Sequence, residues 1–574
     1  MKRKWLIVGL LLTMTLSLFF GFTACKEKPI ELSSPENLRV EKRVLVWDKV
    51  DHATGYAIFI NGKEYEATEN SFSLHFLCKS GDYNLRLMAL GNGKKYDDSD
   101  WAETQITLEA PIAHGYDENG YELFFLEEEL GYSLSRGKAD LTGDITLPDT
   151  YEDYPVISIA KAAFVKIVGT QFPNVITEEN CNIVTTGIKL PKNLRIIENI
   201  AFGFMLKIEE IIIPDTVTEI SDGAFECCIN LKRVLLPKDL KEICRSTFFN
   251  TSLEEIDFPE SLETIGSCAF YNETTKWENF HVPSALSEIV IPDSVTYIET
   301  RAFEGRENLR KITMSKNIKR MEERVFEDTA WYEAQADGIV YLGEDVIYKY
   351  KGEAPPYTQL EIKAPVKLIA GGSFRGQDNL EKVVIGESVK LGGSMIFLGC
   401  DVLKEAELPS DLSEIPSGTF SGSGLERIEL PSSLTKIERS AFAWTNLERI
   451  VIPANVKVLE SSMFQECKKL KEVVLPEGLE QITGHAFLGC TSLTKVTIPS
   501  TVNYIGGGAT FSGCTALTNI EFKNPNGWTV YDGRDEDFKE EIPAFDLSNP
   551  ATAILYFNDT YLWEDSCWYY WERS

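Results

Sequence analysis

The sequence runs to 574 residues, 43% hydrophobic and 25% charged, with a formal net charge of −31. That length exceeds one compact core, so several domains or a repeat array are expected, and the ordinary composition excludes a globally disordered chain and a multi-span membrane protein. The acidic excess repels phosphate backbones and excludes the basic stripe of a nucleic-acid-binding protein.

At the N-terminus, Lys2, Arg3 and Lys4 precede an apolar stretch from Trp5 to Phe20, and the small pair Thr23-Ala24 precedes Cys25. This order is that of a secretory signal, and the apolar run is too short and wrongly flanked for a permanent span. Phe22-Thr23-Ala24-Cys25 resembles a relaxed bacterial lipobox. The resemblance implies that residues 1–24 are removed and that Cys25 is lipidated as the new N-terminus, with more than one acyl chain for stable anchoring. The alternative is ordinary cleavage with Cys25 incidental. Lys26 follows, so the aspartate that holds some lipoproteins on the inner membrane is absent. The expected location is the bacterial cell envelope, on the outer surface of the outer membrane. Residues 25–34 read as a polar tether.

Residues 35–111 alternate short β-type runs (NLRV, VLVW, YAIFI, SFSLHF, YNLRLMAL, TQITL) with turn signals, and Asn61-Gly62 between two such runs predicts a tight hairpin. About seven short strands over this length fit a β-sandwich. The pattern resembles a fibronectin type III domain, which implies Trp47 and Tyr56 in the core, a tyrosine-corner strand at Tyr83-Leu85-Leu87-Ala89, and a last strand beginning near Ser99 and Trp101. Such a domain serves as a spacer or an adhesive module.

From about residue 140 the chain repeats itself. IEEIIIPDTVTEISDGAF, LERIELPSSLTKIERSAF and LKEVVLPEGLEQITGHAF share the form L-x-x-I-x-I-P-x-x-V-x-x-I-x-x-x-A-F. Phe164 begins a series continued by Phe202, Phe225, Phe248 and Phe270, then Phe303 and Phe326, then Phe374, Phe397, Phe420, Phe442, Phe464, Phe487 and Phe511. Within each of the last three runs the spacing is 22 to 24 residues. A fixed period of that length means one supersecondary unit per turn, each burying its apolar set on its neighbours. The I-x-I segment has the alternation and β-branching a strand needs, and the proline ends it.

These motifs resemble the BspA-like, or treponemal-type, leucine-rich repeats of bacterial surface proteins. The resemblance implies a mainly β chain with short helical or irregular segments: a solenoid of about fourteen turns over residues 112–522, with one strand per turn in a parallel sheet on a concave face. It also implies a role in adhesion to host matrix, cells or other bacteria. Two departures interrupt the array, at 271–284 and at 330–366. In the second, GIVYLGEDVIYKY reads as a hairpin about Gly343-Glu344. Insertions of this kind form loops on one face, either as ligand sites or as elaborations without contact. Residues 523–574 leave the repeat and end in Tyr556, Phe557, Tyr561, Trp563, Trp568, Tyr569, Tyr570 and Trp571. They read as a C-terminal cap, with an exposed aromatic patch as the alternative.

Chemistry is not in view. The five histidines (His52, His75, His114, His281 and His485) show no metal-ligand spacing, and no HExxH, GxSxG, Walker A or dinucleotide motif occurs. No enzyme activity, cofactor or metal is expected. Cys228, Cys400, Cys467, Cys490 and Cys514 each sit three residues after a repeat phenylalanine. Buried thiols filling a repeat slot are the simple reading, and disulfides between neighbouring turns the alternative.

In the strand x-I-x-I-P the two x positions face outward. The first column reads Glu210, Arg233, Glu255, Glu288, Lys311, Lys382, Glu405, Arg427, Arg449, Glu472 and Lys495. The second includes Ile212, Leu235, Val290, Val451 and Val474. Opposite charges and β-branched ladders stabilise a sheet without any partner. Apolar residues on an outward face nevertheless make Arg427, Arg449, Val451, Glu472, Val474 and Lys495 the candidate partner-binding residues. The expected function is that of a monomeric, lipid-anchored adhesin that binds protein. The alternative is a carbohydrate-capture or envelope scaffold protein using aromatics such as Trp331, Trp444 and the tail.

Overall fold

The computed structural model describes residues 28–165, 182, 184–273, 282, 284–506, 508–532, 535–542, 544–549, 553 and 569–573. The signal segment and Cys25 lie outside the described residues, as does most of the 271–284 extension. The chain divides into two compact units, Met1–Ile112 and Ala113–Ser574.

The first unit has a three-stranded sheet of Arg39–Glu41, Val44–Val46 and Ser71–Ser73, and a four-stranded sheet ordered Lys63–Ala67, Gly55–Ile60, Gly81–Leu90, Ala102–Leu108. Alternation along Gly81–Leu90 buries Tyr83, Leu85, Leu87 and Ala89 in one core with Leu45, Trp47 and Ile58. Asn61 (φ 47°) and Gly62 (φ 89°) make the predicted two-residue turn, joining strands that pair at Ile60 and Lys63. Tyr56 meets Trp47 edge-on at 5.0 Å, and the Tyr83 hydroxyl donates to the Lys79 carbonyl at 2.8 Å.

The second unit is a solenoid with two parallel ladders. The longer strands carry x-I-x: Glu210–Ile212 pairs with Arg233–Leu235, one turn on, residue for residue. A second ladder is built from two-residue strands such as Ile196–Ile197 against Glu219–Ile220. These are short because the chain turns sharply just after them. Two residues before most of the phenylalanines the backbone is left-handed, at Ile200 (φ 57°), Ser246 (55°), Arg301 (61°) and Ser440 (55°) among others. That curl brings each phenylalanine inward onto the one before. Successive rings lie 5.0–5.9 Å apart and within 3–19° of parallel, from Phe164 to Phe326 and again from Phe374 to Phe511. Phe270 and Phe303 stack at 5.0 Å although 33 residues separate them, so the extension at 271–284 leaves the stack unbroken. Arg306, three residues past Phe303 and fully buried, donates to the carbonyls of Phe270, Thr251 and Phe248 there.

Segment 330–366 is more than an insertion. Its hairpin, Gly338–Leu342 with Val346–Lys351 about Gly343 (φ 67°), supplies a turn of the solenoid in which Tyr348 stands in the phenylalanine place, 5.8 Å from Phe326. The Tyr348 hydroxyl accepts from the Phe326 N–H at 2.7 Å and donates to Glu327. Period-2 alternation makes this hairpin a septum. Val340, Leu342, Val346 and Tyr348 belong to the core of the first arm, while Ile347 belongs to the core of the second and Ile339 packs against it.

The short ladder breaks at this septum. Arg320–Met321 does not continue onto Val346. Instead the Met321 N–H donates to the Gly392 carbonyl, and the Gly371 N–H donates to the Met321 carbonyl, both at 2.7 Å. The glycines are required: a Cβ on Gly393 would stand 2.2 Å from the Met321 oxygen. The solenoid therefore folds against itself with the short-strand face inside the bend. Short-strand residues of the two arms, among them Arg320 and Glu438, meet there.

Both ends are closed. A three-stranded meander of His114–Tyr116, Glu122–Leu126 and Gly131–Ser135 pairs through its last strand onto Tyr154–Ile159 at the start. At the end, Tyr569–Arg573 runs antiparallel between Tyr504–Ile505 and Trp528–Asp532, with Trp528 and Trp571 buried. The outermost strand, Asp535–Glu541, is acidic, which disfavours edge-to-edge association.

Candidate binding surface

The longer-strand ladder presents the two outward columns. In Arg449–Val451 and Glu472–Val474 the centres Ile450 and Val473 are buried and the flanking residues exposed. The strands pair in register, so Arg449 faces Glu472 and Val451 faces Val474. Arg449 and Glu472 form an ion pair at 2.9 Å. Arg427 turns back one rung to Glu405 at 2.6 Å, which Lys382 also reaches at 3.0 Å, and Lys495 turns forward to Glu521 at 2.6 Å. Hydrogen bonds from Lys382 and Arg427 hold the Glu405 carboxyl below its ordinary range, and Lys495 does the same for Glu521. The earlier rungs follow the rule, with Lys311 on Glu288 at 3.0 Å and Arg233 on Glu255 at 3.3 Å. Successive strands about 5 Å apart suit such alternating charges.

Of the six candidate residues, the structure thus brings Arg449, Glu472, Val451 and Val474 together on two paired strands. Arg427 and Lys495 flank them and are engaged with residues further along the ladder. The charges are neutralised within the column, and the unsatisfied feature is apolar. Val451 is 44% and Val474 36% exposed, and Ile212 (59%), Leu235 (42%) and Val290 (60%) repeat the pattern on the first arm.

The aromatic candidates separate. Trp331 packs edge-on against Phe326 and Tyr348, and Trp571 is buried in the cap. Tyr556, Phe557, Tyr561, Trp563 and Trp568 lie outside the described residues. Trp444 is half exposed and left-handed (φ 56°), two residues past its phenylalanine, where Gly399, Gly422 and Gly489 occupy the same place in other turns.

The five slot cysteines are buried. Each donates its S–H to the carbonyl of the phenylalanine one turn earlier: Cys228 to Phe202, Cys400 to Phe374, Cys467 to Phe442, Cys490 to Phe464 and Cys514 to Phe487, at 3.0–3.1 Å. Thr251, Thr329, Ser423 and Thr445 fill the same slot in other turns, bonding to the phenylalanine carbonyl of their own turn. Among the described residues, no three His, Cys, Asp or Glu side chains converge as a metal site.

A cleft lies inside the bend. It measures about 600 Å³ and is lined by Tyr297, Glu299 and Arg320 from one arm and Met395, Glu438 and Arg439 from the other. Burial, then Glu322 and Glu299, push the Tyr297 phenol up to about 12, and burial raises Glu299. The one available signal was the glycine doublets Gly371-Gly372 and Gly392-Gly393 at positions that carry side chains in most turns.

The model of the BspA type leucine rich repeat region matches residues 179–290, 276–335, 346–471 and 435–531. Solved structures with similarity to this chain include a leucine-rich repeat protein from Bacteroides ovatus ATCC 8483, at 23% identity over 71% of this chain and 88% of that one, with a TM-score of 0.24. A leucine rich cell surface protein from Faecalibacterium prausnitzii A2-165 is 22% identical over 72% of this chain and 96% of that one, with a TM-score of 0.28. A T. pallidum leucine rich repeat protein is 31% identical over 30% of this chain and 82% of that one, with a TM-score of 0.25. No curated protein matches. The matched repeat segments span more than half of the sequence, and the chain belongs to the BspA-type leucine-rich repeat family.

Proposed function

We propose that this chain is a non-enzymatic, cell-surface binding protein, an adhesin held to the bacterial outer membrane through lipid on Cys25. Residues 35–111 act as a fibronectin type III-like spacer, and the solenoid engages a protein of the host matrix or of another cell. The observation that carries the reading is the exposed Val451–Val474 pair. Its flanking charges already neutralise one another, so the ladder offers a partner apolar surface bordered by ion pairs (Arg449–Glu472, with Arg427 and Lys495 beside it) that fix orientation more than affinity. Among the described residues, no three His, Cys, Asp or Glu side chains converge to compete with this surface.

The test is adhesion to immobilised fibronectin, laminin and collagen and to epithelial monolayers, with Arg427, Arg449, Val451 and Val474 replaced together. Binding is expected to fall at least about tenfold, as for loss of one buried cluster. A folded variant that binds undiminished counts against the reading.

A second reading has one observation of its own. Trp444 is a half-exposed aromatic where other turns carry glycine, and it suits stacking on a sugar ring. Glycan arrays probed with the parent chain and with Trp444→Gly separate the two readings.

A further inference from the structure

The longer-strand ladder does not run across the septum. Among the described residues, Lys311–Thr313 pairs only with Glu288–Val290 on the first arm, and Thr358–Ile362 pairs only with Leu380–Ile385 on the second. The Gly386 N–H donates to the Ile362 carbonyl at 2.7 Å, which sets the register. In a parallel pair alternate residues bond to the same neighbour, so Leu360 and Ile362 face Leu380–Ile385. Gln359 and Glu361 turn their N–H and C=O groups to the open side, where no partner meets them among the described residues. Both residues are exposed.

A cavity of about 470 Å³ lies against this edge. The buried ends of the second core, Ile347, Ile362 and Val366, line it, together with Ile339 and Tyr341 of the septum hairpin. The hairpin's first-arm face is filled by Val340 and Leu342, but on the other face Tyr341 stays 43% exposed and the volume beside it is open. A cavity of this size, lined by apolar side chains with charged groups at its rim, is of the kind that takes a ligand group. The rim is acidic. Glu361 is paired with Lys363 at 2.9 Å, whereas Glu344 at the hairpin tip has no cationic partner among the described residues.

We infer that this edge and cavity form a strand-addition site for an extended segment of a partner protein. The segment lies beside Thr358–Ile362 and hydrogen-bonds to the free backbone groups of Gln359 and Glu361. It sets one apolar side chain into the cavity and a lysine or arginine against Glu344. Main-chain pairing supplies affinity and the pocket supplies selectivity, the division of labour usual when a peptide extends a sheet. The site is distinct from the outward columns around Val451 and Val474.

Twelve-residue peptides displayed on phage are selected on the immobilised full chain, and the enriched sequences are titrated as labelled synthetic peptides by fluorescence anisotropy. Enrichment of alternating apolar and polar residues with a basic position is expected. Gln359→Pro removes an outward N–H without touching a ladder bond, and Tyr341→Asp places charge in the cavity; each is expected to weaken binding about tenfold while the melting temperature stays near that of the parent. Joint replacement of Arg449 and Val451 is expected to leave peptide binding unchanged, which separates this site from the adhesion surface above. Absence of any such enrichment, binding by both single variants within twofold of the parent, or loss on replacing Arg449 and Val451 overturns the inference.

Discussion

Arg320 and Glu438 are 118 residues apart in sequence and 3.3 Å apart in space. The contact joins the two arms of the solenoid across the bend, and both ends are supported, Arg320 by Glu322 at 2.7 Å and Glu438 by Lys436 at 2.7 Å. Burial pushes the Glu438 carboxyl up, but hydrogen bonds from Lys436 and Arg320 outweigh it and hold the group below its ordinary range. A depressed carboxyl stabilises the fold above its unfolded pKa, and that contribution is lost as pH falls through the folded value. A double-mutant cycle of Arg320→Ala and Glu438→Ala should give a coupling of about 1 kcal/mol near neutrality, vanishing in acid. A coupling near zero at pH 7 would show that the backbone bonds of Met321 hold the joint unaided.

Glu226 behaves in the opposite sense. It lies over Gly203 and Gly223, with a carboxylate oxygen where a Cβ on Gly223 would come within 2.8 Å, and burial raises its pKa to about 7 against the opposing effect of Arg245. The folded state therefore holds the proton longer than the unfolded state, so stability falls as pH rises from about 4.5 to about 7. Glu226→Gln should remove that slope and stabilise the chain at pH 8 by on the order of 2 kcal/mol. Unfolding in urea at pH 5 and pH 8 measures it, and an unchanged slope would locate the titration elsewhere.

Trp444 provides a test of backbone strain. Its left-handed backbone costs a residue with a Cβ about 1 kcal/mol, a cost that glycine does not bear. Trp444→Gly should therefore be more stable than Trp444→Ala by roughly that amount in denaturant unfolding. Equal stabilities would mean that the site imposes no such preference.

The slot thiols should be inert in the folded chain. Burial pushes Cys400 up to about 12 and Cys467 up to about 11, so little thiolate exists at pH 8. Neither should react with a disulfide reagent until denaturant is added, and Cys490→Thr should be tolerated because Thr445 fills the same slot. Rapid labelling of Cys467 in the native chain, followed by mass spectrometry of its peptide, would contradict the packing described.

Much of this was legible because the period is written into single residues. Phe202 and Phe225 stack because each turn rises by one strand spacing, and Ile211 is buried beside exposed Ile212 because a strand alternates. The cysteine slot follows from the same period. Tyr348 escaped notice as a member of the stack because the tyrosine sits in an enlarged turn and breaks the A-F signature. The bend was illegible for a different reason: Arg320 meets Glu438, and Met321 meets Gly392, through contacts that no local pattern encodes. Opposite charges in the outward column were visible in order, but whether Arg427 turned to Glu405 or outward to a partner depended on geometry.

The partner is proposed to meet the longer-strand face around Val451 and Val474. Site-specific photo-crosslinking tests it most directly, with a benzophenone amino acid at position 474 and, as control, at position 457 beside the short-strand ladder, on cells bound to a matrix protein or a monolayer. Partner adducts are expected from position 474 and none from 457. Adducts from 457 with none from 474, while binding persists, would contradict it.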